Sequence, residues 1–146
     1  MISRFVGVER FELVTAVEVI EHLESPVRFL RNVRRLLSPG GAAVITTPNV
    51  ENAPARVKFL LTGRLRMMDQ AGDPTHISPI FFDLFVRQYL PRAGLRLERH
   101  SLYPASGYKV TRARYAWLFR VTSALLPGET LVGDNHVLVL RPGDPV

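Results

Sequence analysis

The sequence predicts an α/β fold centred on a parallel βαβ unit, and three observations predict it. Residues Phe11-Glu12-Leu13-Val14-Thr15-Ala16-Val17 form a short, nearly continuous apolar run, the pattern of a strand buried on both faces. Val27, Leu30, Val33, Leu36 and Leu37 then recur at helical spacing, with Arg28, Arg31, Arg34 and Arg35 between them. A second apolar run, Ala42-Ala43-Val44-Ile45-Thr46-Thr47, follows. Strand, crossover helix and strand fit in about 37 residues, so the two strands are expected to be parallel neighbours.

Each boundary has its own chemistry. Ser25-Pro26 offers an N-cap followed by proline at the first helical position, and Pro39-Gly40-Gly41 stops the helix. Pro48-Asn49 breaks the second strand. Residues 53–61 read as a helix ended by Thr62-Gly63. Residues 64–78 hold Gly72-Asp73-Pro74 and read as a long loop; loops of that length are usually functional or mobile. Residues 81–93 read as a helix with Phe82, Phe85, Val86, Tyr89 and Leu90 on one face, ended by Gly94. Residues 95–102 alternate like a strand, 112–126 form an aromatic-rich helix closed by Pro127-Gly128, and 135–140 make a last strand. There is no internal repeat and no low-complexity segment.

Composition bounds the function. The chain has 146 residues, enough for one domain with its own core and too few for two. Hydrophobic residues at 47% against 22% charged exclude disorder as a description of the whole chain. No apolar run approaches the roughly 18 residues of a membrane span, and Met1-Ile2-Ser3-Arg4 lacks the apolar stretch of a signal peptide. A cytoplasmic location is the expectation. The absence of cysteine excludes a disulfide framework, a thiol nucleophile and a cysteine-based zinc site. The net charge of +6 favours anionic partners, RNA among them. Yet all the basic residues except Lys58 and Lys109 are arginines spread along the chain, which a GC-rich genome explains equally well.

The motifs carry a resemblance. The strand running into Glu18-Val19-Ile20-Glu21-His22-Leu23, the helix exit Leu36-Leu37-Ser38-Pro39-Gly40-Gly41 and the strand exit Thr47-Pro48-Asn49 resemble the second half of class I S-adenosylmethionine-dependent methyltransferases. The match is close over residues 9–50. Asp73-Pro74-Thr75-His76 and the helix ending in Ala93-Gly94-Leu95 extend it loosely. The resemblance implies a Rossmann-like sheet of order 3-2-1-4-5-7-6 with the seventh strand antiparallel. The four strands of this chain would be the fourth, fifth, sixth and seventh, giving the partial order 4-5-7-6. The family's Gly-rich cofactor loop after its first strand has no counterpart, because the ten glycines are scattered and none lies in a G-x-G-x-G pattern. Residues 1–146 are therefore expected to form a single, N-terminally truncated methyltransferase-like domain. A whole domain of seven strands with their helices needs roughly 200 residues at usual element and loop lengths.

Candidate site residues cluster beyond the first strand, where open α/β sheets place ligands. If residues 18 to 22 form one helical turn, Glu18, Glu21 and His22 share a face, and two carboxylates with an imidazole suit Mg²⁺ or Mn²⁺. Two metal-using branches of the family, the ubiquinone-pathway O-methyltransferases and the small-RNA 2′-O-methyltransferases, carry E-x-x-E-H at this position. The second adds a histidine from the loop after the fifth strand, and by that resemblance His76 would join Glu18, Glu21 and His22. A non-metal reading stands beside this: Glu18 lines the substrate and methionine pocket, the Glu21-His22 pair orders the turn, and His76 bonds a loop backbone. The resemblance thus implies S-adenosylmethionine as cofactor, Glu18 and Val19 as its contacts, His22 or Glu18 as catalytic group, and His76 as a substrate contact. Asn49, which ends a strand on the ligand face, is a further candidate substrate contact, though a turn explains Pro48-Asn49 equally well. Arg112, Arg114 and Arg120, interleaved with Tyr115, Trp117 and Phe119, make either a lid or a helix packed on the sheet.

Three functions follow from this. The first is methyl transfer to an oxygen or nitrogen of a small molecule. The second is a non-catalytic remnant or partner subunit, completed through the open strand edge by a separate N-terminal half or a second copy. The third is a metal-assisted, RNA 2′-O-methyltransferase-like protein.

Overall fold

The computed structural model describes residues 9–69, 73–105, 107–108, 128 and 130–143. Strand β1 is Phe11–Val17, followed by a 3₁₀ turn at Ile20–His22, helix α1 at Pro26–Leu36, strand β2 at Leu37–Pro48 and helix α2 at Ala53–Thr62. Helix α3 is continuous but changes pitch: Phe82–Leu84 is α-helical, Phe85–Tyr89 π-helical and Leu90–Arg92 α-helical again. Strands β3, Leu95–Tyr103, and β4, Asn135–Pro142, complete it. The expected helix over 112–126, with its arginines and aromatics, lies outside the described residues. Among those described, no helix is long and apolar enough to cross a membrane.

The sheet order is β1-β2-β4-β3, with β1 and β2 parallel and β4 antiparallel to both neighbours. This is the expected partial order, including the reversed strand. Helices α1 and α3 pack on one face. Ala16, Ile45, Leu138 and Leu140 from the sheet meet Leu30 and Val33 of α1 and Phe85 and Leu90 of α3 in one core. Leu30 and Val33 are buried at three-residue spacing, each worth about 1.5–3 kcal/mol.

Several boundaries fall differently from expectation. Ser25 precedes α1 but makes no side-chain cap; Pro26 at the first position removes one donor that would otherwise need a partner. The Pro39-Gly40-Gly41 segment lies inside β2, not between helix and strand. Pairing jumps from Phe11↔Leu37 to Leu13↔Ala42, so the intervening residues bulge, and a Cβ on Gly41 would stand 2.8 Å from the Phe11 carbonyl oxygen. Two of the arginines that lie between the apolar positions of α1 are tethered: Arg31 Nε donates to the Arg92 carbonyl and Arg34 Nε to that of Gly94, both at 3.1 Å. They fasten α1 to the end of α3. The π-helical stretch ends at Tyr89, two residues before Pro91, whose ring would press on the carbonyl four residues earlier in a regular helix.

Candidate functional site

β1 and β2 end at one rim of the sheet, and β4, running the other way, begins there. Glu18 is the first residue beyond β1 and has φ +51°, the left-handed region that costs a non-glycine residue about 1 kcal/mol or more. Neighbouring strands hold it there. Its backbone N–H donates to the Thr46 carbonyl at 3.2 Å and to Thr46 Oγ1 at 3.1 Å. Its carboxylate accepts from Thr46 Oγ1 at 2.7 Å and from Asn135 Nδ2 at 2.8 Å.

That left-handed residue divides the expected cluster. Only Ile20–His22 is helical, so Glu18 does not share a helical face with Glu21 and His22. Glu21 is 1% exposed; its Oε2 accepts from Thr47 Oγ1 at 3.1 Å, while its Oε1 is buried without a partner. Burial pushes the Glu21 carboxyl above the ordinary glutamate value, more than its own backbone hydrogen bond pulls it down.

The loop after α2 brings the fourth residue. Ile77 and Ser78 both donate their N–H groups to the Glu21 carbonyl at 2.9 Å, stitching the loop to the 3₁₀ turn. His76 thereby meets His22 edge-on, with ring centroids 4.6 Å apart. One ligand atom each from Glu21, His22 and His76 lies within 4.8 Å of the others. Glu18 is outside this group.

Asn49 departs from the expected substrate contact. It is fully buried, and its Nδ2 donates to the carbonyls of Thr130 at 2.7 Å and Val132 at 3.0 Å. Its Oδ1 accepts from the Glu51 N–H at 2.9 Å. With the amide spent inward, Asn49 ties the end of β2 to the segment entering β4. Asn52 does similar work, capping α2 through the Ala55 N–H at 3.0 Å and donating to the Gly133 carbonyl at 2.8 Å. Val19 packs against the core, and its carbonyl accepts from the His22 N–H at 3.1 Å.

Two histidines went unnoticed in the sequence. His136 of β4 is 1% exposed, and its Nδ1 lies 2.9 Å from His100 Nε2 on β3. Phe82 stacks on His100 at 4.1 Å, and His136 Nε2 is buried without a partner. Burial, reinforced by His100, holds the His136 pKa down to about 4. The reason His100 faces inward is a bulge between Leu97 and Arg99, which reverses the alternation of β3. A Thr47–His136 backbone pairing places this pair at the same rim as Glu21.

Comparison with known proteins agrees with this arrangement. A family model described as "Methyltransferase domain" matches residues 3–100. The ubiquinone biosynthesis O-methyltransferase of Caulobacter sp. (strain K31) is 42% identical over 43 residues, which are 30% of this chain and 17% of that protein. The chain thus matches under a fifth of the length of that curated relative. Two solved structures share the fold. One, a methyltransferase-class protein of Bacillus halodurans C-125, superimposes with a TM-score of 0.58 at 17% identity, covering 99% of this chain and 68% of that one. The other, a SAM-dependent methyltransferase from Archaeoglobus fulgidus, gives 0.53 at 15% identity, covering 91% and 60%. Strand order, strand direction and the family match lead to one conclusion: the chain belongs to the class I S-adenosylmethionine-dependent methyltransferase family.

Proposed function

We propose that this chain carries the acceptor side of an S-adenosylmethionine-dependent methyltransferase and presents an oxygen of a small molecule to the methyl donor. The observation that carries the reading is the convergence of Glu21, His22 and His76 at the strand-end rim. A carboxylate and two imidazoles are a donor set for a first-row divalent ion such as Mn²⁺, Fe²⁺ or Zn²⁺ rather than for Mg²⁺, and Glu21 Oε1 is a buried oxygen that no hydrogen-bond donor faces. Each imidazole turns Nδ1 to a backbone carbonyl, Thr75 at 3.2 Å for His22 and Met67 at 2.7 Å for His76. Metal-bound histidines are held in that way. A divalent ion bound there supplies the Lewis acidity that lowers the pKa of an acceptor hydroxyl. Glu18, held by Thr46 and Asn135, stands apart on the cofactor side together with Val19. The Caulobacter relative is named as an O-methyltransferase, which favours oxygen over nitrogen as acceptor.

Isothermal titration with Mn²⁺ tests this. Wild type binds with a resolved isotherm and Glu21→Ala loses it; identical traces for the two proteins sink the metal reading.

A second reading rests on β1. Among the described residues the strand has a neighbour on one side only, and Phe11, Leu13 and Val17 are 43%, 58% and 64% exposed. Parallel strands are normally covered on both faces. A further strand bearing a Gly-rich loop, on this or another polypeptide, pairs with β1 and completes the cofactor site. Titration with S-adenosylmethionine is the check: tight binding by this chain alone overturns the need for such a segment.

A further inference from the structure

We infer that Thr75 and Asp73 are positioning residues that fix His22 in its Nδ1–H tautomer, leaving the lone pair on Nε2 as the ring's free donor. Two atoms face His22 Nδ1: the Thr75 carbonyl oxygen at 3.2 Å and Thr75 Oγ1 at 2.9 Å. A carbonyl oxygen only accepts. The hydroxyl has a single proton, and that proton is committed to Asp73 Oδ1 at 2.6 Å. Both atoms therefore accept, and only a protonated Nδ1 satisfies them. Asp73 Oδ1 also takes the Thr75 N–H at 2.8 Å, an Asx turn that aims the hydroxyl.

The same loop treats His76 in the same manner. His76 Nδ1 lies 2.7 Å from the Met67 carbonyl, and Met67 has φ +68°, a strained left-handed conformation. Asp73 Oδ2 lies 3.7 Å from His76 Nε2, outside hydrogen-bond reach, so the Met67 carbonyl is the contact that sets this ring. One stretch of chain thus sets the tautomers of both imidazoles. Strain at Met67 and a three-residue relay through Asp73, Thr75 and His22 are costly for a surface loop whose only role is to connect. They are what a loop needs if it must present two Nε2 lone pairs to one ligand.

The inference rests on the metal reading for its purpose, but the tautomer itself requires no metal. Long-range ¹H–¹⁵N spectra of ¹⁵N-histidine-labelled full chain, recorded without metal, report it directly. Wild-type His22 is expected as the Nδ1–H form. Thr75→Val removes one acceptor and Asp73→Ala frees the hydroxyl proton to donate, so in both the Nε2–H fraction of His22 rises. Thr75→Ser restores the wild-type spectrum. Mn²⁺ affinity is expected to fall about tenfold in Thr75→Val and to recover in Thr75→Ser. An Nε2–H His22 in wild type, or an unchanged tautomer in both Thr75→Val and Asp73→Ala, overturns the inference. The expected tautomer shift in a protein that does not bind Mn²⁺ would uphold the positioning role and overturn the metal reading alone.

Discussion

Glu18 and Asn135 are hydrogen-bonded at 2.8 Å across 117 positions of sequence, joining the end of β1 to the start of β4 over the top of β2. The contact is charge-assisted, and it fixes a carboxylate whose backbone is in a costly conformation. Asn135→Ala is expected to destabilise by about 1.5 kcal/mol, with Glu18→Gln costing less because the amide oxygen still accepts. A double-mutant cycle by urea unfolding should give a coupling of about 1 kcal/mol. Additive effects would mean that the two side chains do not meet in solution.

Stability should also depend on His136. Its pKa falls from the ordinary histidine value of 6.5 to about 4 because charging it in the core is unfavourable. Above pH 6.5 neither state holds the proton, and folding is not penalised. As pH falls from 6.5 towards 4, the unfolded chain takes up a proton that the folded chain refuses. The loss amounts to about 3 kcal/mol by pH 4. His136→Leu is expected to flatten the unfolding free energy over that window. A slope equal to that of wild type would remove His136 as its source.

Asn49 separates a structural role from a binding role. Asn49→Ala leaves the Thr130 and Val132 carbonyls and the Glu51 N–H short of partners, and should cost about 3 kcal/mol. Mn²⁺ affinity measured well below the melting temperature should stay within about twofold of wild type. A variant of unchanged stability but weakened ligand binding would return Asn49 to the substrate side.

The legible part of the fold was the part written in periodicity. The apolar runs of β1 and of Ala42–Thr47 in β2 and the helical spacing of α1 mark these elements, whereas the bulged first part of β2 does not show in the pattern, and Phe82, Phe85 and Leu90 mark the inner face of α3 by their spacing. The site was half legible. Glu21, His22 and His76 are side chains with evident chemistry, but the helical spacing that grouped Glu18 with them assumed a right-handed backbone at a residue with φ +51°. Nothing in a glutamate codon signals that; it follows from the Thr46 and Asn135 contacts, which are tertiary. His100 was hidden for a related reason. Alternation from Leu95 and Leu97 sends it outward, and only the bulge before Arg99 turns it in. Asp73 and Thr75 read as turn residues, because their hydroxyl and carboxylate acquire meaning only once His22 is beside them.

Glu21 offers the sharpest test, because its cost and its purpose have opposite signs. Its carboxyl is held above the ordinary glutamate value by burial, so the folded chain retains a proton that the unfolded chain releases. Its effect on stability is therefore neutral at low pH and turns unfavourable as pH rises through the unfolded and then the folded pKa. Glu21→Gln, neutral throughout and still able to accept from Thr47, should melt higher than wild type at pH 7 without metal and equally at pH 4. Saturating Mn²⁺ should reverse the order. At about 100 times the dissociation constant, binding adds about 2.7 kcal/mol to wild type and little to a variant lacking the anionic oxygen. Thermal melts of both proteins at pH 7, with and without Mn²⁺, read the crossing. If Glu21→Gln is less stable than wild type at pH 7 without metal, the buried carboxylate has a fixed partner in the fold and is not waiting for a cation.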